Sequence, residues 1–277
     1  MIALLVSAAL AGTTIDARGV TVTAEAPQRI VSLGGGVTEL VYALGSGGAV
    51  VGVDASSRYP AEVSSLATLG YHRSIGAEGV LSLSPDLVIA TTDAGPPATL
   101  DQLEAAGIAL VVLDAAPGVD GLSHRVTALS ALLDVPDAGE ELLAGVHAAL
   151  SGVVVDDPPR VMFIYARGGG TLSVSGTGTA AAAMIGLSGG HNAVDAYEGY
   201  RPLTAEGALL AAPDVLLLTE GGLQSLGGRE GLLSQPGIAM TPAGQHGRIV
   251  ILEDLYLLGF GPRTGEAARE LSELLRQ

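Results

Sequence analysis

The sequence predicts an α/β protein made of two Rossmann-like parallel-sheet lobes joined by a long helical connector. Three observations lead to this. Short apolar runs alternate with segments of helical period, the pattern of strand-helix units that build a parallel sheet with helices on both faces. The stretch from about Gly118 to Ser151 carries helical periodicity and no strand. Finally, the chain repeats itself: Ala77-Glu78-Gly79-Val80-Leu81 followed by Pro85-Asp86-Leu87-Val88 matches Ala205-Glu206-Gly207-Ala208-Leu209 followed by Pro213-Asp214-Val215-Leu216, at a constant offset of 128 residues. Two copies of a helix that stops before Pro-Asp and feeds a buried strand mean two similar lobes.

The elements follow in order. Met1 to Ala11 is an apolar run ending in Ala-Leu-Ala, like the tail of a secretory signal, though without a basic leader. Thr13 to Glu25 alternates apolar and polar residues around Asp16-Ala17-Arg18-Gly19 and reads as a β-hairpin, with Gly19 at the positive-φ position. Arg29 to Leu33 is a short strand, Gly34-Gly35-Gly36 a turn, and Val37 to Leu44 a helix with Val37, Leu40, Val41 and Leu44 on one face. Strands are predicted at Val50–Val53, Leu87–Thr91 and Leu110–Leu113, and helices at about Ala77–Leu83 and Thr99–Ala106. Val126, Leu129 and Leu133 mark one connector helix, and Leu142, Val146 and Leu150 another beyond Val135-Pro136-Asp137. A second series runs from the strand Arg160–Ile164 to a helix at Gly265–Arg276. The expected division is a signal-like segment and hairpin at 1–26, a first lobe at 27–117, the connector at 118–157 and a second lobe at 158–277.

Composition narrows the chemistry. With 277 residues, 48% of them hydrophobic, the chain can bury a core without disulfides, and the absence of cysteine removes thiolate metal sites and iron–sulfur clusters. The formal charge is −16, and all 13 basic residues are Arg. So negative a protein repels phosphate backbones, which argues against nucleic acid, and an anionic ligand must be met by locally placed arginines.

The matching stretches Arg29–Leu44 (RIVSLGGGVTELVYAL), Gly70–Pro85 (GYHRSIGAEGVLSLSP), Gly95-Pro96-Pro97, Thr177–Ile185 and Gly259–Ala267 (GFGPRTGEA) resemble the helical-linker class of periplasmic substrate-binding proteins, and within it the haem receptors of bacterial haem-uptake ABC transporters. The resemblance spans nearly the whole chain from Ile15 onward, and Gly70-Tyr71-x-Arg73 is its most specific part. It implies an exported, monomeric protein that holds haem in the cleft between its lobes, delivers it to a membrane ABC permease and performs no chemistry on it. It further implies Tyr71 as the iron ligand and Arg73 as its partner. A phenolate is a hard anionic oxygen donor suited to ferric iron, and a neighbouring guanidinium stabilises the anion. His72 stands as the alternative ligand, although in an extended segment it points away. Gly95 and Pro96 are expected against the macrocycle, and Arg167 and Arg229 at the propionates through their planar donor forks.

Some relatives carry a second-lobe histidine ligand and stack two haems. Here the corresponding stretch is Tyr165-Ala166-Arg167-Gly168-Gly169, which favours one haem and leaves Tyr165 as a second candidate phenolate. Glu78 and Glu206, the acidic residues of the repeat, resemble the pair that docks onto permease arginines; a helix N-terminus favours an acidic residue in any case. A cobalamin or siderophore receptor of the same fold is the nearest alternative. A remoter one is an NAD-dependent oxidoreductase using Gly176-Thr177-Gly178-Thr179-Ala180-Ala181, a formal match to the dinucleotide glycine fingerprint with Asp195 downstream and Gly189–Asn192 read as loop. His124, His147, His191 and His246 are scattered singly, and His124 and His147, on the connector helices, are expected at the surface.

Overall fold

The computed structural model describes residues 11–167 and 172–277. The signal-like run before Ala11 and the pair Gly168-Gly169 lie outside the described residues. The chain divides into two compact units, one from the described part of residues 1–116 with 120–144, the other from 117–119 with 145–277.

Unit 1 begins with the predicted hairpin, β1 (Ala11–Ile15) and β2 (Thr21–Glu25), with Gly19 at φ 78 in its turn. Asp16 fastens it to the unit: its carboxylate accepts the Val112 amide at 3.2 Å and is paired with Arg18 at 2.8 Å. There follow β3 (Ile30–Ser32), α1 (Gly35–Ala43), β4 (Val50–Val53), β5 (Ala67–Thr68), α2 (Ala77–Ser82), β6 (Leu87–Thr91), α3 (Pro97–Ala105), β7 (Ala109–Leu113) and α4 (Val119–Leu132). α5 (Pro136–Leu150) carries the chain from unit 1 into unit 2. The five-stranded sheet has the order β5-β4-β3-β6-β7 and is parallel throughout. Strands β3, β6 and β7 are buried on both faces, whereas both residues of β5 are exposed. Val31, Val88, Ala90, Leu110 and Val112 join one core cluster, while Ile30, Leu87, Ile89 and Val111, of opposite parity, are also at or near zero exposure. α1 starts two residues earlier than the periodicity indicates, because Gly34, at φ 125, already makes the whole turn and leaves Gly35 and Gly36 free to be helical.

Unit 2 comprises β8 (Arg160–Tyr165), β9 (Ser173–Ser175), α6 (Ala180–Leu187), β10 (His191–Asn192), β11 (Tyr200–Pro202), α7 (Ala205–Ala211), β12 (Val215–Thr219), α8 (Glu220–Ser225), α9 (Gly228–Leu233), α10 (Pro242–His246), β13 (Ile249–Leu252), α11 (Asp254–Leu258) and α12 (Thr264–Leu275). Its sheet runs β11-β9-β8-β12-β13, with β10 beside β8. The β8, β12 and β13 core is parallel as expected, but β9 is antiparallel to both β8 and β11, so the sheet is mixed. Alternation along β8 sends Val161 and Phe163 into one cluster with α6 and α12, and Met162 and Ile164 into another with α7. His191 and Asn192, expected in a loop, form two residues of parallel ladder with Arg160 and Val161.

The internal repeat proves to be a backbone clamp used once in each unit. In unit 1, Asp86 accepts the Arg29 amide at 3.0 Å while the Arg29 guanidinium donates to the carbonyl of Leu83 at the end of α2. In unit 2, Asp214 accepts the Arg160 amide at 2.8 Å while Arg160 donates to the carbonyl of Ala211 at the end of α7. The arginine thus satisfies helix-end carbonyls that lack an intrahelical partner, and the aspartate sets the start of the neighbouring strand. Gly237 backs onto the first turn of α7 at φ 81, and a Cβ there would lie 2.8 Å from both the Cα and the carbonyl oxygen of Ala205. Gly237→Ala is expected to cost about 3 kcal/mol in urea unfolding, from the left-handed backbone together with the contact.

Candidate functional site

In unit 1 the candidate residues lie beyond the carboxyl ends of the parallel strands, where open α/β sheets bind ligands. β4 ends at Val53 and delivers Asp54, β6 ends at Thr91 and delivers Asp93, and β5 leads into the turn that carries Tyr71. That turn is held by backbone bonds on both sides. Ala55 donates to the Gly70 carbonyl at 2.6 Å, Gly95 donates to the His72 carbonyl at 2.9 Å, and Ile75 donates to the Gly95 carbonyl at 2.9 Å. Gly95 is thereby brought against the Tyr71 turn, with Pro96 exposed beside it at the start of α3.

The segment is not extended. Tyr71 has extended backbone angles, but His72–Ser74 is a single turn of 3-10 helix closed by the Ser74 amide on the Tyr71 carbonyl at 2.8 Å. The tight turn sends His72 inward and still leaves Arg73 beside Tyr71, its guanidinium carbon 5.9 Å from the phenol ring centroid. Tyr71 itself is half-buried, and its ring meets that of His72 at 4.4 Å, tilted by 56°.

Beneath Tyr71 lies a network that local sequence patterns do not reveal. Asp54, with no side-chain exposure, accepts from the Gly34 amide at 3.0 Å, the Ser56 amide at 3.1 Å, the Ser56 hydroxyl at 2.7 Å, the Ser57 hydroxyl at 2.9 Å and His72 Nδ1 at 2.9 Å. On the other side of the ring, His72 Nε2 lies 3.5 Å from Asp93, whose same oxygen accepts Arg73 Nε at 3.0 Å. Burial opposes a charge on His72, but its bonds to Asp54 and Asp93 outweigh it and push the imidazole up to about 9. Burial likewise pushes the Asp54 carboxyl up, and bonds from His72, Ser56 and Ser57 overcome this to hold it at about 2. The His72 bond, reinforced by Thr91 and Arg73 against the opposing effect of burial, holds the Asp93 carboxyl well below the usual carboxylate range. His72 is buried with Nδ1 on Asp54 and Nε2 facing Asp93, so an iron at Nε2 would have to displace the Asp93 contact, which disfavours it as the alternative ligand. Asp54 and Asp93 were missed in the sequence reading; each is the first acidic residue past a predicted parallel strand, and that position was the available signal.

In unit 2, Tyr165 is the last residue of β8 and Arg167 lies two residues beyond it, both exposed, with the Tyr165 and Tyr200 rings 5.8 Å apart. Arg229 does not join them. It lies in the first turn of α9, and its guanidinium donates to the carbonyls of Gly247 and Ile249 at 3.4 and 3.2 Å, at the amino end of β13. These bonds anchor α9 and engage the fork expected at a propionate. Glu78 and Glu206 are exposed in the first turns of α2 and α7, in matching places of the two repeats. His124, His147, His191 and His246 are exposed, and among the described residues no group of three His, Asp or Glu side chains could hold a metal ion.

The glycine fingerprint has a structural explanation. β9, which precedes it, is antiparallel to β8 rather than the parallel strand of a dinucleotide fold. A Cβ on Gly176 would lie 2.2 Å from the Tyr197 carbonyl, and Gly178 adopts φ 70 beside Glu198. The Gly176 and Thr177 amides already donate to Gly199 and Tyr197. The glycines let the chain pack on 197–199 and leave no open cradle for a pyrophosphate.

Three comparisons place the chain among known proteins. Over 90% of its length it superposes on the periplasmic haem-binding protein RhuT from Roseiflexus sp. RS-1, solved in apo form, with a TM-score of 0.87, 44% identity and 97% of that chain covered. The periplasmic haem-binding protein BhuT, solved in complex with two haems, matches 89% of this chain and 97% of its own at a TM-score of 0.83 and 39% identity. An uncharacterised ABC transporter substrate-binding lipoprotein, YvrC of Bacillus subtilis, is 26% identical over 255 residues, covering 89% of this chain and 79% of the relative. Among the described residues no helix is long and apolar enough to cross a membrane. The family model for periplasmic binding proteins matches residues 30–256, and with two α/β units of this topology the chain belongs to the periplasmic binding protein family.

Proposed function

We propose that this protein is the haem-capturing component of an ABC importer, working outside the cytoplasmic membrane, with Tyr71 as the ligand to ferric haem iron. The observation that carries the reading is the Tyr71–Arg73 pair, held on a braced turn at the carboxyl end of the unit 1 sheet, in a chain 44% identical to a haem-binding protein over nearly its whole length. Arg73 stabilises the phenolate that iron requires, and Pro96, exposed beside the buried Gly95, offers a flat ring to a macrocycle. Arg167 supplies a donor fork for a propionate. The cargo is carried unchanged. Titration of the purified protein with ferric haem, followed by visible absorption, tests this: uptake with a phenolate-to-iron charge-transfer band is expected. A protein that takes up cyanocobalamin and no haem would overturn it.

Glu78 and Glu206 then serve delivery. Two exposed carboxylates on equivalent helices, one per unit, suit a permease built of two like subunits that each present an arginine. Glu78→Arg and Glu206→Arg are each expected to weaken association with the cognate permease in proteoliposomes about tenfold or more, since they replace attraction by like-charge repulsion. The haem dissociation constant should stay within about twofold of wild type, because neither residue lies at the haem ligand.

A further inference from the structure

The imidazole of His72 is a buried part of the Tyr71 turn that ligand binding as described leaves without a task. Its Nδ1 lies 2.9 Å from Asp54, which is itself locked to the Gly34 turn and to Ser56 and Ser57, and its Nε2 lies 3.5 Å from Asp93, which grips Arg73. One ring therefore joins the ends of β4 and β6, two strands that are not neighbours in the sheet. Tyr71 and Arg73 flank it in sequence, and the Tyr71 ring lies against its face at 4.4 Å.

Resting on the reading of Tyr71 as iron ligand, we propose that His72 is a positioning residue: by bridging Asp54 and Asp93 it sets where the Tyr71 oxygen and the Arg73 guanidinium stand, and so how tightly haem is held. A turn tied down only through its backbone would leave both side chains to sample several rotamers, and each would have to be ordered when ligand binds. A bridge present in the free protein removes part of that cost. The effect belongs to the range seen when a residue that orients a metal ligand is removed, about 10–100-fold.

Two variants divide the bridge. His72→Asn places an amide nitrogen where Nδ1 stands and keeps the buried bond to Asp54, so the fold is retained, but it does not reach Asp93. His72→Gln reaches toward Asp93 and gives up Asp54. Ferric haem is titrated into wild type, both variants, Tyr71→Phe, and Tyr71→Phe combined with each. Each variant is expected to raise the dissociation constant about tenfold in the Tyr71 background and less than about twofold in the Tyr71→Phe background, since a residue that acts through Tyr71 has nothing to position once the phenol is gone. Wild-type affinity in either variant, or an equal loss in both backgrounds, overturns the proposal. Amide exchange of residues 70–75 in the haem-free protein is measured alongside and should quicken in both variants. If wild type takes up no haem, the reading of Tyr71 has failed, and the exchange rates alone still decide whether His72 fixes the turn: unchanged rates overturn that as well.

Discussion

Tyr71→Phe is expected to abolish the phenolate-to-iron charge-transfer band of the ferric haem complex and to raise the dissociation constant about 100-fold or more, equivalent to about 2.7 kcal/mol. The substitution removes a single oxygen from a half-buried ring and leaves the packing against His72 in place, so the haem-free protein should unfold in urea within about 1 kcal/mol of wild type. That separation is what gives the experiment its force. A loss of affinity without a loss of stability assigns the oxygen to the ligand, whereas equal haem binding by the variant would shift ligation to another oxygen donor, with Tyr165 the first to test. His72 comes after it, since an iron there would have to displace the contact of Nε2 with Asp93.

The largest effect on stability is expected at Asp54. Asp54→Ala strands the Gly34 and Ser56 amides, two hydroxyls and a buried imidazolium, and should cost about 3–5 kcal/mol in urea unfolding. The same pair sets a pH signature in the wild type. The His72 value is raised on folding, so its contribution is fully present below its ordinary value near 6.5 and is lost as pH climbs through about 9. The Asp54 value is depressed, so its contribution is present above about 3.8 and is lost as pH falls through about 2. Stability should therefore be highest between about pH 4 and 6.5 as far as these groups are concerned, with an alkaline decline on the order of 3 kcal/mol. In Asp54→Ala the alkaline decline should shrink, since the imidazole has lost its main anionic partner. Urea unfolding of both proteins at pH 6 and pH 9 measures it; a wild type equally stable at the two values would contradict the coupling.

Much of this protein was determined by sequence alone. The alternation of strands and helices, the strandless connector, the hairpin with its Gly19 turn and the two copies of the Ala-Glu-Gly…Pro-Asp repeat all depend on preferences acting within a few residues, and each appears as expected. The Gly70-Tyr71-x-Arg73 motif was legible because it is contiguous, but its 3-10 turn, where an extended segment was expected, was not. Only the tertiary structure decided what the motif is attached to. Asp54, His72 and Asp93 meet because β4 and β6 end on the same side of one parallel sheet, and no local periodicity encodes which strands share an edge. The same reason hid the arginines of the repeat: Arg29 and Arg160 reach their helix ends across 54 and 51 residues of chain. It also explains Arg229, which in sequence is expected at a propionate and in the structure donates to carbonyls at the amino end of β13. The antiparallel β9 is a further case, since three residues of strand carry no mark of their direction until a partner is chosen. Local rules place backbone hydrogen bonds between near neighbours, whereas the charge network around Tyr71 exists only once strand pairing has brought distant residues to one edge.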